Sequence, residues 1–153
     1  QQMLNLVNFI NKDEPEKICG GIGMQSHVDI KVPTIELYGT ALEKFLAAGY
    51  EVQITELDVT INYDTNGSYS YADEKETNAD QAKYVGQLMK TILEKNRSRD
   101  KNVNPKGVTG ITLWGLYDTI SWRASCSPLL FDTGITNPKA SFYEFINAAK
   151  SMG

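Results

Sequence analysis

Glu56 and Asp58 are two carboxylates two residues apart at the end of an apolar run, Val52-Gln53-Ile54-Thr55-Glu56-Leu57-Asp58-Val59. The β-branched Val52 and Ile54, with Gly49 breaking the chain just before, predict a strand that hands over to a loop near these acids. Strand side chains alternate faces, so Glu56 and Asp58 project to one side if the strand continues through them. Two like charges on one face oppose each other's ionisation and demand a reason. One reading is a solvated strand end. The other is a catalytic carboxylate with a supporting partner.

The elements that must position these acids alternate along the chain. Leu4, Val7 and Ile10 recur at helical spacing until Pro15. Gly20-Gly21-Ile22-Gly23-Met24-Gln25-Ser26-His27 reads as a short strand whose glycines allow close packing against a neighbour. A phosphate loop is a weak alternative there, since no helix opens directly behind it. Pro33 starts a helix over 34–48 with Ile35, Leu37, Tyr38, Leu42, Phe45 and Leu46 on one face, and Gly49 stops it. After the strand that ends in Glu56, a loop over 60–74 carries Tyr63, Tyr69 and Tyr71. A long helix over 75–95 turns Ala79, Ala82, Val85, Gly86, Met89, Ile92 and Leu93 inward. A strand over 108–114, a loop over 115–132 and a helix over 138–149 with Phe142, Phe145, Ile146 and Ala149 inward complete the order.

Alternation of this kind implies an α/β fold of parallel strands with helices packed outside them. The polar clusters Gln25/His27, Glu56/Asp58 and Trp114 to Trp122 all follow strands. The carboxyl ends of parallel strands gather at one edge, where sites form.

A net charge of −4 and a pI near 5.0 argue against a non-specific grip on nucleic acid or on an anionic membrane. No apolar run approaches the ~20 residues of a membrane span. The opening Gln1-Gln2-Met3-Leu4-Asn5-Leu6-Val7 lacks the basic segment of a signal peptide and reads as helix interior. Cys19 and Cys126 are too few for a metal site. They fit a disulfide, and fit free buried thiols at least as well.

Gly23-Met24-Gln25-Ser26-His27, Ile54-Thr55-Glu56-Leu57-Asp58 and Leu113-Trp114-Gly115, with Asp118 and Ser121-Trp122, closely resemble the glycoside hydrolase family 10 endo-β-1,4-xylanases. Pro128-Leu129-Leu130-Phe131-Asp132 and Asn137-Pro138-Lys139 continue the resemblance in the same order. Tyr117, where Thr or Ser is more usual, and Arg123 after the second Trp depart from the pattern and bear on fine specificity. The resemblance implies a (β/α)8 TIM barrel, which takes about 250 residues. Residues 1–153 then form the C-terminal portion of one catalytic barrel domain: the end of helix five, and strands six to eight with their helices. The N-terminal half, with the family's Asn-Glu motif that supplies the acid/base carboxylate, lies outside this chain and is expected as a second chain or segment.

The resemblance makes Glu56 the nucleophile of a retaining glycosidase that cleaves internal β-1,4 bonds of xylan. Such an enzyme needs two carboxyl groups about 5–5.5 Å apart. His27 and Gln25 become donors around Glu56, with Asp58 orienting His27 from the other side. Without it, a lone histidine reads as core or surface. Trp114 and Trp122 are core aromatics by default; a pair at a strand mouth also suits the C–H faces of a sugar ring. The three loop tyrosines add a weaker version of the same signal, and Asp118 reads as structural. The expected ligand is xylan or a xylo-oligosaccharide, with no cofactor and no metal, and the family resemblance implies secretion. The competing readings are a non-catalytic carbohydrate-binding fragment, and a related barrel β-glycanase acting on glucan.

Overall fold

The structure is a computed structural model that describes residues 1–63 and 76–151. Among the described residues four α-helices and four strands follow one another: α1 (Gln2–Ile10), β1 (Gly21–Met24), β2 (His27–Asp29), α2 (Ile35–Ala47), β3 (Glu51–Thr60), α3 (Asn78–Ser98), β4 (Val108–Leu113) and α4 (Ala140–Ser151). All strand pairing is parallel and all of it is to β3. The expected strand over 20–27 is broken in two. β1 pairs with the first part of β3 and β2 with the last, and Ser26 between them takes a left-handed φ of 67°. Among the described residues, neither β1 nor β4 pairs with a further strand.

β3 does not end at its acids. It continues to Thr60 because the loop after β4 lends it carbonyls: Val59 N–H donates to Pro128 O and Ile61 N–H to Cys126 O. The strand also carries a bulge. Ile54 and Leu57 of β3 stand opposite Ile111 and Leu113 of β4, so β3 spends three steps where β4 spends two. Val52, Ile54, Leu57 and Val59 are all buried under the helices, although strict alternation cannot put 54 and 57 on one face. The extra residue at Thr55-Glu56 resolves this and leaves Glu56 with Asp58 on the site side.

The helices cover one face of the sheet. Tyr38, Leu42 and Leu46 of α2 and Tyr84, Val85, Leu88, Met89 and Ile92 of α3 pack with the apolar side of β3, and Phe142, Phe145 and Ala148 of α4 join them. The opposite face, with Gly21, Gly23, Glu51, Gln53 and Thr55, lines an open groove. A side chain at Gly23 would meet Thr55 Cγ2 at 3.2 Å, so Thr55 would have to give by a few tenths of an ångström to admit one.

Several expectations shift. Pro33 lies ahead of its helix: Thr34 is the N-cap, and its hydroxyl accepts from Leu37 N–H at 3.2 Å. α3 starts at Asn78 because Thr77 and Asp80 form a capping box. Ile10, Leu37, Ala79 and Ala149 are exposed, whereas Leu88 and Ala148 are the inward residues. Leu37 instead borders a groove beside β1 with Met3, Ile22, Met24 and Phe45. Both cysteines are free thiols. Tyr69 and Tyr71 lie outside the described residues.

Candidate active site

Three elements bring the predicted residues together at the carboxyl edge of the sheet. In the β2–β3 register His27 stands opposite Asp58. Gln25 O accepts from Glu56 N–H and Ser26 O from Asp58 N–H, which locks the break between β1 and β2 against the bulged stretch of β3. The left-handed turn at Ser26, whose hydroxyl meets Tyr38 Oη at 2.7 Å, delivers His27 to the site.

The imidazole bridges the two acids. His27 Nδ1 lies 3.0 Å from Asp58 Oδ2, and His27 Nε2 lies 3.1 Å from Glu56 Oε2. Both ring nitrogens face carboxylate oxygens, so with both acids ionised the two contacts are hydrogen bonds only when the ring carries two protons. Asp58 is buried with its side chain fully covered, whereas the Glu56 side chain keeps 22% of its surface exposed. The outer acid is therefore the one a ligand can reach, and the inner acid is the one that orients the ring.

The two indoles flank this line. Trp122 Nε1–H donates to Asp58 Oδ2 at 2.7 Å, and its ring meets the His27 ring edge-on at 4.9 Å. The Trp114 ring lies 6.2 Å from His27, and Trp114 N–H is held by Leu57 O. Trp114 and Trp122 are 46% and 57% exposed, too open to be core aromatics. Gln25 is also exposed, and its contact with Glu56 is the backbone one; its side chain is not brought to the carboxylate.

The loop that carries Trp122 is fixed from below by Asp118 and Lys139, whose ammonium lies 2.8 Å from Asp118 Oδ2 and also donates to Ser127 O and Leu129 O. Burial pushes the Asp118 carboxyl up and the Lys139 ammonium down from their ordinary values. Asp118 is thus structural. Sequence reasoning did not place Lys139 beneath the loop, nor Arg123 against Asp58. A cation following an exposed Trp was the available signal for the second. Among the described residues, no group of three or more His, Cys, Asp or Glu side chains is set to hold a metal ion.

Parallel strands with helices outside, a carboxylate line at their carboxyl edge and two open indoles beside it are in keeping with the class of barrel glycosidases. The chain belongs to glycosyl hydrolase family 10, whose profile matches residues 1–148. It is 38% identical over 130 residues to the bifunctional endo-1,4-beta-xylanase XylA of Ruminococcus flavefaciens, covering 85% of this chain and 11% of that protein. It is 36% identical over 137 residues to endo-1,4-beta-xylanase A of Butyrivibrio fibrisolvens, covering 89% and 28%. Among solved structures, the catalytic core of a xylanase A superposes with a TM-score of 0.75 at 28% identity, covering 95% of this chain and 44% of that one. A Clostridium thermocellum xylanase 10B structure with bound xylohexaose superposes at 0.69 with 30% identity, covering 91% and 24%. The chain thus spans less than half the length of each of these proteins. Its parallel strand–helix order is consistent with part of the family's (β/α)8 barrel.

Proposed function

We propose that this chain is the nucleophile-bearing part of a retaining endo-1,4-β-xylanase. It contributes strands six to eight of one catalytic barrel, with β1 and β2 together as strand six, β3 as seven and β4 as eight. The rest of the barrel supplies the acid/base carboxylate. The observation that carries the reading is the Glu56–His27–Asp58 line, with bonds of 3.1 and 3.0 Å and the outer acid open.

Glu56 attacks the anomeric carbon and forms a glycosyl-enzyme ester, which water then hydrolyses. His27 donates to the carboxylate oxygen and holds its rotamer, and its bond changes as charge leaves and returns to Glu56. Asp58 fixes the ring from behind. Trp114 and Trp122 pack on sugar faces, and Gln25 reaches a sugar hydroxyl. The substrate is xylan or a xylo-oligosaccharide. The enzyme acts outside the cell, since a polymer does not cross a membrane. A binding-only role leaves the paired acids unexplained, because stacking on indoles needs no carboxylate held by an imidazole.

The test uses the complete barrel. A 2-fluoro xyloside should label the peptide that contains Glu56. Glu56→Gln should lose at least about 10³-fold in kcat while still binding xylo-oligosaccharide, the covalent route being closed. Near-normal turnover, or a label elsewhere, would refute the assignment. Faster cleavage of cello-oligosaccharides than of xylo-oligosaccharides would move the substrate to glucan.

A further inference from the structure

Arg123 has no part in the chemistry above, yet it is held at three points. Its guanidinium carbon lies 4.2 Å from the centre of the Trp122 ring and 4.7 Å from that of Tyr63. Its Nη1 lies 3.9 Å from Asp58 Oδ1, and the side chain is 17% exposed. Asp58 has an unequal share of partners. Its Oδ2 takes both the His27 and the Trp122 hydrogen bonds, while Oδ1 is buried with no hydrogen-bond partner among the described residues. A buried carboxylate oxygen left in this way is costly and requires an account. At 3.9 Å the guanidinium is beyond hydrogen-bond range, but its charge acts strongly where water is excluded.

We propose that Arg123 is a positioning residue of the hydrolytic site: clamped between the Trp122 and Tyr63 rings, it gives the second oxygen of Asp58 its counter-charge and so holds His27 against Glu56. The proposal rests on Glu56 being the reactive carboxylate. Tyr63 follows β3 and Arg123 lies in the loop after β4, so the guanidinium ties the segment after β3 to the loop that carries Trp122. A planar cation suits this place, since it can lie against two rings and still present an N–H edge to the carboxylate. Lysine retains the charge and the apolar stem but not the plane.

The experiment compares Arg123→Gln and Arg123→Lys in the complete barrel, with kcat and KM measured on xylo-oligosaccharides and folding checked by thermal unfolding. Arg123→Gln, which keeps length and polarity without charge, should lower kcat about tenfold or more with KM little changed. Arg123→Lys, which keeps the charge without the plane, should recover part of that loss. Wild-type kcat in the Gln variant, or equal losses in both, overturns the proposal, because the charge would then have no role. Should Arg123→Gln fail to fold, Tyr63→Leu carries the test: it loosens the clamp and leaves the charge, and an unchanged kcat there overturns the proposal. An inactive wild-type barrel, or a fully active Glu56→Gln, would instead overturn the reading of Glu56, and these two controls keep the failures apart.

Discussion

The indole N–H of Trp122 and the carboxylate of Asp58 are joined by a 2.7 Å hydrogen bond, shorter than the one His27 makes to the same oxygen. The exposed platform and the buried orienting acid are therefore one mechanical unit. A hydrogen bond to a charged group is worth about 1.5–3 kcal/mol.

Trp122→Phe tests that unit, because it keeps an aromatic face and removes the N–H. In the complete barrel it should lower kcat/KM on xylo-oligosaccharides about tenfold or more. Trp122→Ala should lose more, since the face goes as well. Wild-type kinetics in Trp122→Phe would mean that the indole N–H has no part in holding Asp58.

A second prediction concerns the floor of the same loop. Lys139→Met leaves Asp118 buried and without its cation and takes a donor from Leu129 O and from Ser127 O, which keeps the Gln81 amide. Breaking one partner of a buried pair costs about 3–5 kcal/mol. Denaturant unfolding should show a loss of that order. The double variant Asp118→Leu with Lys139→Met should recover much of it, because no charge is then stranded. A single variant as stable as the parent would show that the pair does not hold the loop.

Asp29 gives a prediction in pH. It is buried and accepts from Thr60 Oγ1–H and Lys31 N–H. Desolvation raises its carboxyl above the ordinary 3.8, and the charge of Glu76 adds to this against the bonds from Lys31 and Thr60. A carboxyl raised in the folded state binds its proton more tightly there than when unfolded. Its contribution to stability is full below the unfolded value and is lost as pH rises through the folded one. Asp29→Asn, which cannot ionise, should therefore gain on the wild type as pH rises from below 3.8 to 7. Unfolding midpoints measured across that range check it, and a wild type that gains on Asp29→Asn as pH rises would contradict the sign.

Much of this was legible in the chain. The helices α2 and α3 follow from 3.6-residue spacing and from Gly49, which takes a left-handed φ of 79° after the helix. The Glu56, His27 and Asp58 cluster followed from strand ends sharing one edge. The bulge was written in the sequence too. Apolar residues at 52, 54, 57 and 59 enclose the doubled polar pair Thr55-Glu56, a phase slip that period-two reasoning passes over. Leu37 could not be placed from its own helix, since its exposure depends on what lies beside β1. Arg123 could not be set against Asp58 because the loop path between them is tertiary. The side chain of Gln25 was expected at Glu56 from the resemblance and its place at a strand end, whereas it is the backbone carbonyl of Gln25 that meets Glu56 N–H.

The bulge in β3 also divides labour between neighbours. Thr55 ties the strand sideways, through its hydroxyl to Met24 O at 3.3 Å, and the next residue is left free to face His27. Removing Thr55 would leave a strand of perfect alternation whose core side never registers the change. Yet the carboxylate would slip against its imidazole by one residue rise, about 3.3 Å, more than the whole length of their bond. Chimeras and shortened homologues that fold without complaint could therefore be silent in catalysis for want of a single residue, and that residue need not be an acid.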